Sequence, residues 1–142
     1  MSDPQLRPVR PEDLPALREL FTVTRRETFH WMDPAVYQPD DFDEQTTGEG
    51  MLVAELDGAI AGFIAWWAPQ NFIHHLYIAR EFQRRGVGTA LLDACLARIG
   101  RPTRLKCVIK NENATRFYLS HGWKAVETGD DAEGGYRLLE LA

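Results

Sequence analysis

The chain has 142 residues, 44% apolar and 26% charged, an ordinary globular composition with enough length for one domain around a single core. Sixteen Lys and Arg against 21 Asp and Glu give a net charge of −5, which argues against holding DNA or an acidic membrane surface. No run approaches the roughly 18 apolar residues of a membrane span, and MSDPQLRPVR lacks the apolar segment of a signal peptide, so a cytoplasmic location is expected.

Leu6 to Arg10 reads as a short strand. Asp13 is a candidate N-cap for a helix whose apolar face carries Leu14, Leu17, Leu20 and Phe21. From Thr24 to Gly50, Pro34, Pro39 and the acidic run Asp40 to Glu44 suggest surface loops and a second helix that form specificity walls rather than core. Met51 to Leu56 and Ala59 to Trp67 flank Asp57-Gly58, a strong β-hairpin signal. Phe72 to Ile78 follows as the third strand of a meander.

Val87, Leu91, Leu92, Cys95, Leu96 and Ile99 mark a helix ending at Gly100, and the alternation around Leu105, Cys107 and Ile109 marks another strand. Asn113 is read as the cap of a short helix carrying Ala114, Phe117 and Tyr118 and closed by Gly122. Trp123 to Thr128 and Tyr136 to Leu141 complete the chain as strands joined by a loop from Gly129 to Gly135. The order βα(α)βββαβαββ predicts a single mixed-sheet α/β domain over 1–142.

Cys95 and Cys107 are too few for a disulfide framework and read as small core residues. His74 and His75, adjacent on a strand, are expected on opposite faces, and no histidine pair has helical zinc spacing, so no metal is expected.

The net charge is unevenly distributed. Arg80 to Lys110 holds eight basic residues against Glu81 and Asp93, a local charge of +6 that leaves −11 elsewhere. Within it, Gln83-Arg84-Arg85-Gly86-Val87-Gly88-Thr89 joins a strand to a helix N-terminus, where free backbone N–H groups and the helix dipole attract an anion. Gly86 and Gly88 permit close approach, and the arginines add bidentate donors. A basic strand-to-helix turn with no ligand is the plain alternative. Position 91 is Leu91, which excludes a dinucleotide fingerprint, and Gly88-Thr89-Ala90 is no P-loop. A phosphorylated cofactor of another kind is left.

Leu76 to Leu92 resembles the acetyl-CoA-binding motif of GCN5-related N-acetyltransferases (GNATs), with the pattern Q/R-x-x-G-x-G filled completely. Asn111 to Tyr118, followed by His121-Gly122-Trp123, resembles the family's later N-x-x-A-x-x-F-Y segment, and Leu6 to Leu14 reads like its usual start. The resemblance spans nearly the whole chain. It implies a mostly antiparallel mixed sheet with one splayed parallel strand pair, here Phe72 to Ile78 and Arg104 to Lys110, flanked by helices.

It further implies that acetyl-CoA lies in that opening. The backbone of Leu76, Tyr77 and Ile78 then meets the pantetheine arm, Leu76 and Ile78 bonding it. Gln83, Arg84, Arg85, Gly86, Val87, Gly88 and Thr89 surround the pyrophosphate, and Asn111 contacts the pantetheine region. Tyr118 is expected from the matched motif to protonate the departing thiolate; its spacing alone favours a core aromatic.

The base that deprotonates the amine is left open. Histone-type relatives use a glutamate near the start of the strand before the Gly loop, yet Gln70, Asn71, Phe72 and Ile73 include none. Some peptide-acetylating relatives use one five residues before the motif Asn, here Lys106. Arylalkylamine-type relatives place a histidine two residues before the motif Leu, which is His74, an imidazole suited to proton relay. His75 and a water chain are the alternatives.

Trp31, Tyr37, Trp66 and Trp67 are candidates for an aromatic acceptor wall or for core. The expected activity is acetyl transfer to a small-molecule amine or a peptide N-terminus by direct attack in a ternary complex. The protein would act as a monomer or homodimer without nucleic-acid or membrane partners. A non-catalytic acyl-CoA-binding domain of the same fold is the alternative.

Overall fold

The structure is a computed structural model that describes residues 3–142. Met1 and Ser2, which belong to the N-terminal stretch and the predicted 1–142 domain, lie outside the described residues. Seven strands form one sheet: β1 (Gln5–Pro8), β2 (Gly50–Leu56), β3 (Ala59–Trp67), β4 (Phe72–Ile78), β5 (Thr103–Val108), β6 (Lys124–Asp131) and β7 (Gly134–Leu141). Their order is β1-β2-β3-β4-β5-β7-β6, and among the described residues only β4 and β5 run parallel. Four α-helices accompany them among the described residues, beside short 3-10 turns: α1 (Leu14–Thr28), α2 (Asp41–Thr46), α3 (Val87–Leu96) and α4 (Glu112–Ser120).

The meander begins at the predicted hairpin. Asp57 (φ 54°) and Gly58 (φ 80°) both adopt left-handed backbone, the two-residue turn that matches strand twist. One sheet face packs Leu52, Ile64, Ile73 and Leu105 against Val87, Leu91, Leu92 and Cys95 of α3, with Tyr118 of α4 and Trp123 at its edge. The other face packs Val53, Phe63 and Ala65 against Leu17, Leu20 and Phe21 of α1 and Phe42 of α2. Each fully buried Leu or Phe contributes roughly 1.5–3 kcal/mol of transfer free energy, so both layers are anchored independently.

Several boundaries depart from the sequence reading for identifiable reasons. The first strand spans Gln5–Pro8 instead of Leu6 to Arg10. Asp13 precedes α1 as expected but makes no cap bond there; its carboxylate accepts from Arg10 N at 2.7 Å and from Arg7 at 2.7 and 2.8 Å. Those bonds to Arg7 hold the Asp13 carboxyl below its ordinary range. The segment from Thr24 to Gly50 is more than surface wall, because Phe29, Tyr37 and Phe42 are buried. The Arg25 guanidinium, over the Phe21 ring at 3.8 Å and 3.1 Å from Asp41, fastens α1 to the following segment.

α3 ends at Leu96, short of Gly100, as Arg98 N closes a tighter bond to Cys95 O at 2.9 Å. β5 stops at Val108, before Lys110, and α4 is capped by Asn111, whose Oδ1 accepts from Ala114 N at 3.3 Å. Asn113 accepts from Arg116 instead. The predicted Gly129 to Gly135 loop is mostly strand: β6 and β7 extend into it and turn at Ala132-Glu133, with left-handed Gly134 (φ 109°) opening β7.

Candidate active site

Parallel pairing of β4 with β5 covers only Phe72 with Arg104 and Ile73 with Leu105. Beyond it β5 stays with β7, and β4 is left with an open edge. Ala79 N donates to Ala61 O at 2.8 Å, so the strand's period of two turns the backbone of Tyr77 toward β3 and that of Leu76 and Ile78 toward the gap. Of the groups turned to the gap, Ile78 O accepts from Gln83 Nε2 at 3.2 Å; those left free of strand pairing are a template for an extended amide-bearing ligand. Leu76 and Ile78 send their side chains into the α3 layer, while Tyr77 packs against Phe21 on the other side.

At the splay point β4 bulges. Ala65 faces His75 and Trp66 faces Ile73, leaving His74 without a partner in β3. The expected alternation therefore fails, and both imidazoles turn to one side with ring centroids 6.0 Å apart. His75 stacks edge-on to Phe21 at 4.9 Å; burial, helped by His74 and Arg25, lowers it to about 4. A group so weakly basic is a poor acceptor for an amine proton.

His74 is more open, and its Nδ1 lies 2.7 Å from Glu49 Oε1. Sequence reasoning missed Glu49. It stands 25 residues upstream in the turn before β2, and no spacing rule links it to β4. Among the described residues no three His, Cys, Asp or Glu side chains converge as a metal set.

The gap between β4 and β5 holds a cleft of roughly 90 Å³ lined by His74 to Tyr77 on one side, Lys106 and Cys107 on the other, and Asn111 and Tyr118 from α4. The Tyr118 ring sits between Phe117 at 5.1 Å and Trp123 at 5.6 Å. Burial, reinforced by Cys107, pushes its phenol well above the ordinary range, so it stays protonated and able to donate. Burial likewise raises the Cys107 thiol and pushes Cys95 up to about 12, which leaves both inert as nucleophiles. A larger open hollow of roughly 420 Å³, lined by Leu20, Glu27 and Arg80 among others, contains none of the predicted residues.

The loop into α3 has the geometry of an anion cradle. Gly86 (φ 79°) and, unusually for a side-chain-bearing residue, Arg84 (φ 63°) are left-handed. The first bond within the helix is Ala90 N to Gly86 O, so the N–H groups of Val87, Gly88 and Thr89 point outward from the first turn. A Cβ on Gly88 would meet only ordinary contacts, Phe117 at 3.5 Å and Ile78 at 3.9 Å, so neighbouring protein atoms do not dictate that glycine.

Gln83 ties the loop back by donating to Ile78 O at 3.2 Å, and the Thr89 hydroxyl is 3.2 Å from His121 Nε2. Arg85 is drawn 3.3 Å from Asp57, whereas Arg84 is exposed and pairs with no carboxylate among the described residues. The positive stretch is thus not one patch, since Arg80 and Arg104 also have acidic neighbours.

The four aromatic candidates divide. Trp66 is buried in the α3-side core. Trp31 Nε1 donates to Glu133 O at 3.0 Å and the Tyr37 hydroxyl to Glu133 Oε2 at 3.1 Å, pinning the β6–β7 turn against the segment after α1. Trp67 lies beside Gly48.

Residues 20–140 match the family model of the acetyltransferase (GNAT) domain. The chain belongs to the GNAT family. An uncharacterized N-acetyltransferase from Archaeoglobus fulgidus is 32% identical over 94 residues, 57% of this chain and 64% of that relative, so the alignment spans just under two thirds of its length.

Among solved GNAT structures, a GCN5-related N-acetyltransferase from Rhodopseudomonas palustris superposes with a TM-score of 0.77 at 24% identity, over 99% of this chain and 95% of that one. The PaiA N-acetyltransferase from Thermoplasma acidophilum, solved with coenzyme A, gives 0.78 at 18% identity over 99% and 100%. At these identities the likeness is one of fold. This GNAT chain has that seven-stranded mixed sheet with its single parallel pair. Among its described residues no helix is long and apolar enough to cross a membrane.

Proposed function

We propose that the chain is a single acetyltransferase domain over 1–142 that moves an acetyl group from acetyl-CoA to a primary amine, a small molecule or a peptide N-terminus, by direct attack in a ternary complex. The observation that carries this reading is the open edge of β4, which begins at His74, shares its cleft with Tyr118 and ends at the α3 cradle. In this reading the backbone groups of Leu76 and Ile78 hold the pantetheine arm as an added strand would, with Tyr77 facing away. Gln83 to Thr89 receive the pyrophosphate, with Arg84 the stronger electrostatic partner because Arg85 is already shared with Asp57. Asn111 shapes the start of α4 and borders the pantetheine path.

His74 Nε2 takes one proton from the alkylammonium, and the freed lone pair attacks the thioester carbonyl. The C–N bond forms as the C–S bond breaks, and Tyr118 donates its proton to the leaving sulfur. Of the two protons the nitrogen gives up, one leaves by way of His74 and the other, through solvent, replaces the proton Tyr118 lost. The products are the amide, the thiol and one released proton.

Glu49 beside His74 weakens the alternative of a non-catalytic acyl-CoA binder, which rested on the absence of the glutamate bases that histone-type and peptide-acetylating relatives use. A cytoplasmic protein acting as monomer or homodimer, without nucleic-acid or membrane partners, accompanies this reading. The test is a thiol-release assay with acetyl-CoA and a panel of polyamines, amino acids, aminoglycosides, arylalkylamines and peptide N-termini. Turnover with at least one amine is expected; acetyl-CoA binding without turnover on any of them contradicts transfer.

A further inference from the structure

We infer that Glu49 is the positioning residue of the proposed base: it fixes the tautomer of His74 and stabilises the imidazolium formed when His74 accepts the amine proton. The inference rests on the reading of His74 as base.

Three observations carry it. The Glu49 side chain is only 2% exposed, yet its Oε1 is 2.7 Å from His74 Nδ1. Its Oε2 is buried without any hydrogen-bond partner. No Lys or Arg pairs with it among the described residues, and its one charged-group contact is the His74 ring.

A dry carboxylate held without a full set of donors is costly to stability, and a fold that needed only a linker there has no physical reason to keep a charge. Its negative charge is directed at one group, the His74 ring. The backbone holds it there: Gly48 (φ 76°) turns the chain and Glu49 N donates to Thr46 O at 3.0 Å, so the carboxylate enters β2 aimed at the β4 bulge.

The chemistry follows from donor and acceptor roles. With Glu49 accepting the Nδ1 proton, the neutral ring carries its lone pair on Nε2. Nε2 is then the atom able to receive the ammonium proton, and the carboxylate two bonds beyond it offsets the new positive charge, as in a Ser-His-Asp site. The bulge supplies the remaining requirement, since it frees His74 from pairing and brings it to the side from which Glu49 arrives.

The test combines Glu49→Gln, Glu49→Asp and His74→Ala with ¹⁵N NMR of the imidazole. The wild-type His74 ring should show the Nδ1–H tautomer. Glu49→Gln should lower kcat about 100-fold with KM for acetyl-CoA unchanged and Tm equal or higher, since the buried charge is gone. Glu49→Asp should recover part of kcat, and adding Glu49→Gln to His74→Ala should cost nothing further.

Three results overturn the inference: an Nε2–H tautomer in the wild type, a Glu49→Gln enzyme with undiminished kcat, or a loss in kcat matched by a fall in Tm. If His74→Ala keeps full kcat, the base reading itself fails, and this result is separate from a failure confined to Glu49.

Discussion

The two ends of the cleft are built in opposite ways. The end proposed for the cofactor is contiguous: Leu76 to Thr89 runs from the open edge of β4 through two left-handed residues into the first turn of α3, and its binding groups are mostly backbone. The end proposed for the acceptor is assembled from distant pieces. Glu49 reaches His74 across 25 residues, and Trp31 and Tyr37 meet Glu133 across 102 and 96. A backbone cradle recognises what a shared cosubstrate always presents, a phosphate and a run of amides. Side chains gathered from four segments can be exchanged one at a time, so in the proposed reading this is the end that would select the acceptor.

Variants that hit one end and spare the other test that division. The largest effect is expected where the ends meet. Tyr118→Phe should lower kcat by about 100-fold or more, with Tm and acetyl-CoA binding kept; steady-state kinetics beside calorimetric titration measure both. Unchanged turnover removes Tyr118 from the chemistry.

Next is acid sensitivity on the acceptor side. Folding holds His75 near 4 against an ordinary 6.5, so between those values the unfolded chain binds more protons and stability falls as pH falls. The loss reaches at most about 3 kcal/mol, and His75→Gln should flatten that part of a denaturation-versus-pH curve.

A smaller change belongs to the cofactor end. Arg84→Ala should raise KM for acetyl-CoA about tenfold and leave KM for the amine alone, with Arg85→Ala weaker because Asp57 already shares its charge. The smallest is Gly86→Ala. Nothing lies within 4 Å of the added Cβ, so its cost is the left-handed backbone alone, about 1 kcal/mol in a melting experiment, with a modest rise in KM for acetyl-CoA.

The same contrast explains what could be read from the sequence. Turn chemistry at Asp57-Gly58, the apolar face of α3 and the Gly loop are local, so the meander, the succession of elements up to α4 and the loop leading into α3 were legible. Where a local reading failed, long-range contact had decided. Asp13 was taken from its cap by Arg7, and strand pairing absorbed the Gly129 to Gly135 loop. The bulge at His74 is set by β3 register, which no alternation rule in β4 contains. Glu49 was invisible for the same reason, as its partner is defined by a sheet and not by a spacing. The +6 stretch is not one field, because Arg80, Arg85 and Arg104 face separate carboxylates, Arg98 and Arg101 bond backbone carbonyls, and Arg84 stands clear at the loop.

Where acetyl-CoA sits decides most of this. Amide ¹H–¹⁵N shift mapping during titration with acetyl-CoA tests it directly. The largest changes are expected at Leu76, Ile78 and Val87 to Thr89, with smaller ones near Asn111 and Tyr118. Changes gathered instead around the hollow beside Leu20, Glu27 and Arg80, with Val87 to Thr89 unmoved, would contradict the proposed site.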